Sequence, residues 1–268
     1  MSPTYDARAG GESSRQATED WNEHWNAFAM MAARNPAQAY RRKLVFEHLA
    51  LERSQGAVRL LDLGSGTGEL AREVLRYRPD ASVLGLDCSP SGVALATRTV
   101  PNARFIEQDF TRPLTVGDEY RGWATHAVCS EVLEHLEDPV QVLRNVGPLL
   151  GDGCRLVITV PAGPMSAFDK HIGHVRHFDT GLLERTLRLG AMNVVELSGA
   201  GFPFFNLYRL VVIARGAKLV EDATRPPKGR PPLGALAAMA AFSWLFKLNP
   251  RRATTRGWQL VAVATPVR

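Results

Sequence analysis

Leu60-Leu61-Asp62-Leu63-Gly64-Ser65-Gly66-Thr67-Gly68-Glu69-Leu70 is the stretch on which the reading of this chain turns. An apolar run carries Asp62 near its end, glycines follow at alternate positions, and a helical pattern starts at Glu69. A buried strand that bends sharply into a helix, through backbone bare of side chains, lets a nucleotide-like ligand lie against the main chain.

On both sides of this turn, strands and helices alternate. Apolar runs at 58–63, 82–87, 104–108, 125–130 and 155–160 read as strands, and helical patterns at 69–77, 91–99 and 139–150 lie between them. The strands are continuous apolar runs, as expected when helices cover both faces of a parallel sheet. Such units predict a doubly wound, mostly parallel α/β sheet with right-handed crossovers. Residues 161–178 read as a loop rich in Gly, Pro and His, 180–189 as a helix, 193–198 as a strand, and 259–265 as a closing strand. Upstream, 18–51 reads as helical, with Asn35 as an N-cap and Pro36 in the first turn. The expected organisation is a tail (1–17), a helical cap (18–57), a core (58–203 and 257–268) and a helical insertion (204–256).

Two ligand classes compete for the glycine turn. A dinucleotide site wants G-x-G-x-x-G, but the spacing here is G-x-G-x-G, with Gly68 one residue early. A pyrophosphate at a helix N-terminus also disfavours nearby carboxylates. Asp62 and Glu69 therefore point to a ligand that carries a cation. Asp87 ends the second strand, where a carboxylate can accept both ribose hydroxyls. Asp109 ends the third, where it could accept from an exocyclic amine while Phe110 packs on a purine.

Together, 61–68, Asp87, Asp109 and Cys129-Ser130-Glu131-Val132-Leu133-Glu134-His135-Leu136-Glu137-Asp138-Pro139 resemble the class I S-adenosylmethionine-dependent methyltransferases. The resemblance covers about 58–200 and the last strand. It implies a seven-stranded Rossmann-like sheet whose last strand is antiparallel and inserted beside the sixth. It also implies that S-adenosylmethionine is held by Asp62, Gly64, Ser65, Gly66, Gly68, Asp87, Cys88, Asp109, Phe110 and Ser130. In that picture the glycines pass under the methionine part, Asp87 holds the ribose, and Ser130 lies beside the sulfonium.

Glu131, Glu134 and His135 are spaced i, i+3 and i+4, so on a helical turn all would face one way. Two carboxylates and an imidazole can ligate a divalent metal (Mg, Mn or Zn), with a further ligand from the loop that carries His171, His174 and His177. The ubiquinone-pathway O-methyltransferases and small-RNA terminal 2′-O-methyltransferases resemble this turn and use it for a metal. The competing reading has Glu131 and His135 lining the cofactor pocket and Glu134 solvated or capping. His174, then His171, then His135 are the candidates for general base, and Arg176 for holding an anionic acceptor.

No apolar run reaches the roughly 20 residues that span a bilayer. Residues 1–16 are polar and do not read as a secretory leader. The cysteines at 88, 129 and 154 lack paired spacing, which fits buried thiols in a reducing cytoplasm. Residues 209–256 hold ten Lys/Arg against two Asp/Glu, in a chain with 32 Lys/Arg and 27 Asp/Glu. The apolar helices expected at 204–219 and 233–248 read as a substrate lid, a homodimer contact, or a membrane-surface contact near a lipid-linked acceptor. Nucleic acid is disfavoured, because the basic segment is interleaved with apolar helices rather than stacking aromatics. The leading expectation is O-methylation of a small-molecule or saccharide hydroxyl. The alternatives are a lipid-linked acceptor, RNA 2′-O-methylation, and an inactive cofactor-binding module.

Overall fold

A computed structural model describes residues 35–224, 233–249 and 254–267. The tail expected at 1–17 and the helical pattern at 18–34 lie outside the described residues; of the exposed linker that prolines 226, 227, 231 and 232 predict at 222–232, only 222–224 are described, and they end a helix.

The strands are β1 (Arg59–Leu63), β2 (Ser82–Asp87), β3 (Arg104–Glu107), β4 (Ala124–Ser130), β5 (Leu150–Pro161), β6 (Met192–Ala200) and β7 (Gln259–Pro266). They form one seven-stranded sheet in the order β3-β2-β1-β4-β5-β7-β6. The first five pair in parallel, while β7 runs antiparallel between β5 and β6. Neighbouring side chains along each strand enter opposite cores. Leu61, Leu84, Ala127 and Leu156 join one cluster, and Leu60, Val83, Val128 and Val157 join the other. That is why the strands read as unbroken apolar runs, and each buried Leu contributes about 1.5–3 kcal/mol.

The helices are α1 (Pro36–Leu49), α2 (Glu69–Tyr77), α3 (Pro90–Thr99), α4 (Pro139–Val146), α5 (Ala167–His171), α6 (Thr180–Leu189), α7 (Phe204–Ala214), α8 (Gly216–Thr224) and α9 (Leu233–Leu245). The Asn35 side chain caps α1 by accepting from Ala37 N at 2.9 Å.

Several expected boundaries move. The helix read at 139–150 ends at Val146, a 3-10 turn at Gly147–Leu149 carries Pro148, and β5 starts at Leu150. The segment read as one helix at 204–219 is α7 and α8, divided at Arg215. Inside the region read as a loop, α5 forms because Ser166 and Asp169 make a reciprocal capping box.

Candidate active site

The carboxyl ends of β1, β2 and β4 lie along one edge of the sheet, the usual ligand position of an open α/β sheet. Gly64, Gly66 and Gly68 adopt φ of 75°, 51° and 77°, a region that disfavours any side chain. A Cβ at Gly64 would lie 2.4 Å from Val132 Cγ2, so the turn is bare by necessity. Asp87 accepts from Gly66 N at 2.7 Å and from Ser89 N at 2.8 Å, which ties the turn to the end of β2. Burial raises the Asp87 carboxyl, and those two N–H donors only partly offset it.

Asp62 Oδ2 and Ser65 Oγ are buried without a hydrogen-bond partner among the described residues. Burial, and then the charge of Asp87, push the Asp62 carboxyl up to about 7. Orphaned polar atoms beside a bare backbone cradle fit a polar, cationic nucleoside. Glu69, the other acid used for that argument, faces elsewhere: its carboxylate pairs with Arg42 of α1 at 3.3 Å. Asp109 accepts from Thr111 N and Oγ1 and pairs with Arg112 at 3.3 Å. Phe110 is buried in the core, and Cys88 is half-buried with its thiol pushed up to about 12 by burial and by Asp87. Ser130 Oγ bonds Thr159 Oγ1 at 2.7 Å.

Glu131, Glu134 and His135 do not share one helical face. Glu131 sits at φ 58°, and only Leu133–His135 form a 3-10 turn. Glu131 turns toward Arg41 Nε at 2.8 Å, and its other oxygen accepts from Gln259 Nε2 at 2.8 Å and Thr159 Oγ1 at 3.2 Å. It is a hub that joins α1, β5 and β7 to the end of β4. Neither Arg41 nor Gln259 carries a local signal that would have marked it.

Glu134 goes inward, fully buried rather than solvated, and neither carboxylate oxygen has a hydrogen-bond partner among the described residues. Burial and the charge of Glu131 raise its carboxyl well above the usual range. Its main-chain carbonyl accepts from Val175 N at 2.9 Å, which docks the histidine loop onto the turn. His135 and His174 stack edge to face, with ring centroids 4.6 Å apart. Glu134, His135 and His174 each bring a ligand atom within 4.8 Å of the others, and Asp169, His174 and His177 form a second such set. His171 is exposed on α5 and belongs to neither set, and Arg176 donates to the Glu137 carbonyl at 3.0 Å.

Hydrogen bonding assigns the tautomers. His177 Nδ1 lies 3.0 Å from the Gly163 carbonyl, which can only accept, so that nitrogen carries the proton. His177 Nε2 then accepts from His174 Nδ1 at 3.2 Å. The lone pair of His174 is left on Nε2, which faces Glu134 Oε1 at 4.0 Å. Burial, followed by the neighbouring His135, holds His174 down to about 3, so it is neutral at physiological pH. The neutral His174 nitrogen, the His135 ring and an orphaned carboxylate at this spacing fit a divalent cation, whose ligands lie about 2.0–2.2 Å away.

Behind the histidines, Arg209 of α7 grips Asp169 through bonds of 3.0 and 2.8 Å, with both side chains nearly fully buried. Burial works to raise Asp169, but the Arg209 hydrogen bonds and charge overcome it and hold the carboxyl below its ordinary range. Asp169 lies 3.8 Å from His177 Nε2. The Asp169–Arg209 pair has no short-range sequence signature, since its members are 40 residues apart.

A methyltransferase-domain family model matches residues 61–156. The demethylmenaquinone methyltransferase of Thermus thermophilus is 33% identical over 183 residues, covering 66% of this chain and 80% of that protein. The trans-aconitate 2-methyltransferase of Deinococcus radiodurans is 33% identical over 104 residues, 38% of each chain. The chain spans less than two thirds of several matched relatives, from 31% to 62% of their length. Among solved structures, the [4+2]-cyclase SpnF superposes with a TM-score of 0.56 at 21% identity, covering 87% of this chain and 82% of that one. A cyclase on this fold shows that architecture alone does not decide the reaction. The Thermus thermophilus relative does decide the family: this chain belongs to the class I S-adenosylmethionine-dependent methyltransferases.

Proposed function

We propose that this protein transfers the methyl group of S-adenosylmethionine to a hydroxyl of a small-molecule or saccharide acceptor. The observation that carries the reading is the placement of His135, His174 and orphaned Glu134 on the turn and loop that follow β4 and β5, with Val132 of that turn against the glycine turn. The donor supplies a methyl on a sulfonium, displaced in line by the acceptor oxygen. In this reading Gly64–Gly68 let the donor approach the backbone, and Asp87 takes the ribose. Asp62, ionised once a cation lies nearby, favours the positive donor over its neutral product. Alignment of the acceptor with the methyl supplies much of the rate.

The acceptor proton must leave for solvent water. A histidine held near 3 is a weak base at neutral pH, since general bases work best near the operating pH. The same lone pair is a good ligand. We therefore read Glu134, His135 and His174 as holders of a divalent metal, with nitrogen donors favouring Zn or Mn over Mg. A metal there would supply a lowered pKa for the acceptor hydroxyl. His177 fixes the His174 ring, and Asp169 with Arg209 holds the segment that carries both.

The test is transfer of labelled methyl from S-adenosylmethionine to a panel of hydroxylated acceptors, before and after chelation. Product on a hydroxyl, lost with chelator and restored by Zn or Mn, is the expected result. Transfer that resists chelation would remove the metal. Transfer to carbon or nitrogen only would remove the hydroxyl acceptor.

A further inference from the structure

The insertion shows one face to the core and another to solvent. Tyr208 of α7 packs on Phe242 of α9 with centroids 5.3 Å apart, and Phe246 meets Tyr40 of α1 at 5.3 Å. These contacts hold the inner faces. The outer faces are apolar and exposed. On α7, Leu207, Leu210 and Val211 are 47%, 50% and 40% exposed. On α9, Leu233 and Trp244 are 85% and 60% exposed, and Leu248 just beyond is 51% exposed. Positions 207, 210, 211 and 214, and 233, 237, 240, 241, 244 and 248, fall at helical spacing, so each set forms one stripe. No residue of α9 is buried, and it carries no charge.

Exposed cations flank these stripes in the chain. Lys218, Lys247 and Arg256 are exposed, and Arg256 lies over the half-exposed Phe202 ring at 6.0 Å. Arg209, by contrast, is turned inward to Asp169 and adds nothing to this face. A self-complementary dimer through this face would set those cations against their own copies, with few acids to answer them. An anionic partner answers them directly. No described helix is long and apolar enough to cross a membrane, which leaves an in-plane contact.

We propose that the outer face of α7 and α9 docks on an anionic lipid bilayer, with the apolar stripes among the headgroups and the cations on lipid phosphates. The same α7 that carries the outer stripe sends Arg209 inward to Asp169, and Gly216 at the start of α8 lies against Ala167 of α5. The docking face and the histidine cluster therefore share their supports. In the methyl-transfer reading, on which this last step rests, such docking brings an acceptor hydroxyl borne by a lipid to the site.

The experiment is flotation of the full chain with phosphatidylcholine vesicles, with and without phosphatidylglycerol, and calorimetry with S-adenosylmethionine on the same sample. Expected is co-flotation with the phosphatidylglycerol vesicles only, weakened by salt. Lys218→Gln and Lys247→Gln should each weaken partitioning about fivefold, since a surface cation contributes about 1 kcal/mol. Leu210→Ser with Trp244→Ser should abolish flotation while donor binding and thermal melting stay unchanged. Absence of flotation overturns the proposal, as does equal flotation with both vesicles. A dimer in sedimentation equilibrium that the Leu210→Ser/Trp244→Ser variant dissociates, without flotation of the parent, assigns the face to a second copy and also overturns it. Donor binding without flotation sinks the docking alone, and flotation without donor binding sinks the methyl-transfer reading alone.

Discussion

The two halves of the candidate site are made of different material. On the β1–β2 side, the wall is main chain: three glycines at positive φ and N–H groups held by Asp87, all within residues 62–89. On the β4–β5 side, the wall is side chains drawn from Glu134 to Arg209, joined through His135, His174, His177 and Asp169. A backbone wall recognises a ligand by its shape and close approach. A side-chain wall can be retuned one residue at a time. The donor half should therefore be generic to the family and the acceptor half particular to this chain.

The largest expected effect separates the halves. His174→Ala, by removing a metal ligand, should lower turnover by about 100-fold or more while leaving S-adenosylmethionine affinity unchanged, read by calorimetry beside a methyl-transfer assay. A fall in donor affinity of the same size would merge the two halves into one.

Next is Arg209→Met, which leaves Asp169 ionised and unpaired in the interior. It should destabilise the fold by about 3–5 kcal/mol in denaturant unfolding, and adding Asp169→Asn should recover part of the loss. The pH dependence has a definite sign. Asp169 is held below its ordinary value, so its contribution is present above the unfolded value of about 4 and is lost as pH falls through the lower folded value. In Arg209→Met that acid-side dependence should weaken, with the Ser166 N–H and O–H still donating to the carboxylate.

Asp62 behaves in the opposite sense. Its folded value, about 7, lies above the unfolded one, so the buried group costs stability increasingly as pH rises from about 4 to about 7. Asp62→Asn should show a stability advantage over the parent that grows across this range, by at most about 4 kcal/mol, and is flat above it. An advantage that is constant with pH would mean that Asp62 titrates normally. The smallest effect falls on the backbone wall itself. Gly64→Ala forces a side chain into the left-handed region at about 1–2 kcal/mol and against Val132, weakening donor binding about tenfold with turnover at saturation kept.

The same contrast explains what the sequence disclosed. The strands and the glycine turn follow from local pattern, because strand burial and turn geometry are written within a few residues, whereas the antiparallel β7 beside β6 was implied by the family resemblance and pairs across long stretches of chain. Glu134, His135 and His174 were legible as metal-ligand types, but not the departure of Glu131, since its positive φ and its Arg41 partner come from tertiary packing. The α5 helix was hidden inside a Gly- and His-rich segment because its stability rests on one capping box and on Arg209, far along the chain. Glu69 read as a ligand-facing acid because its cation, Arg42, lies upstream on a different element.

The most direct test of the central claim is calorimetric titration of the full chain with S-adenosylmethionine and, separately, with NAD. Saturable one-to-one binding of S-adenosylmethionine, weakened by Gly64→Ala, and no binding of NAD is the predicted result. Binding of NAD in preference to S-adenosylmethionine, or S-adenosylmethionine binding indifferent to Gly64→Ala, would contradict it.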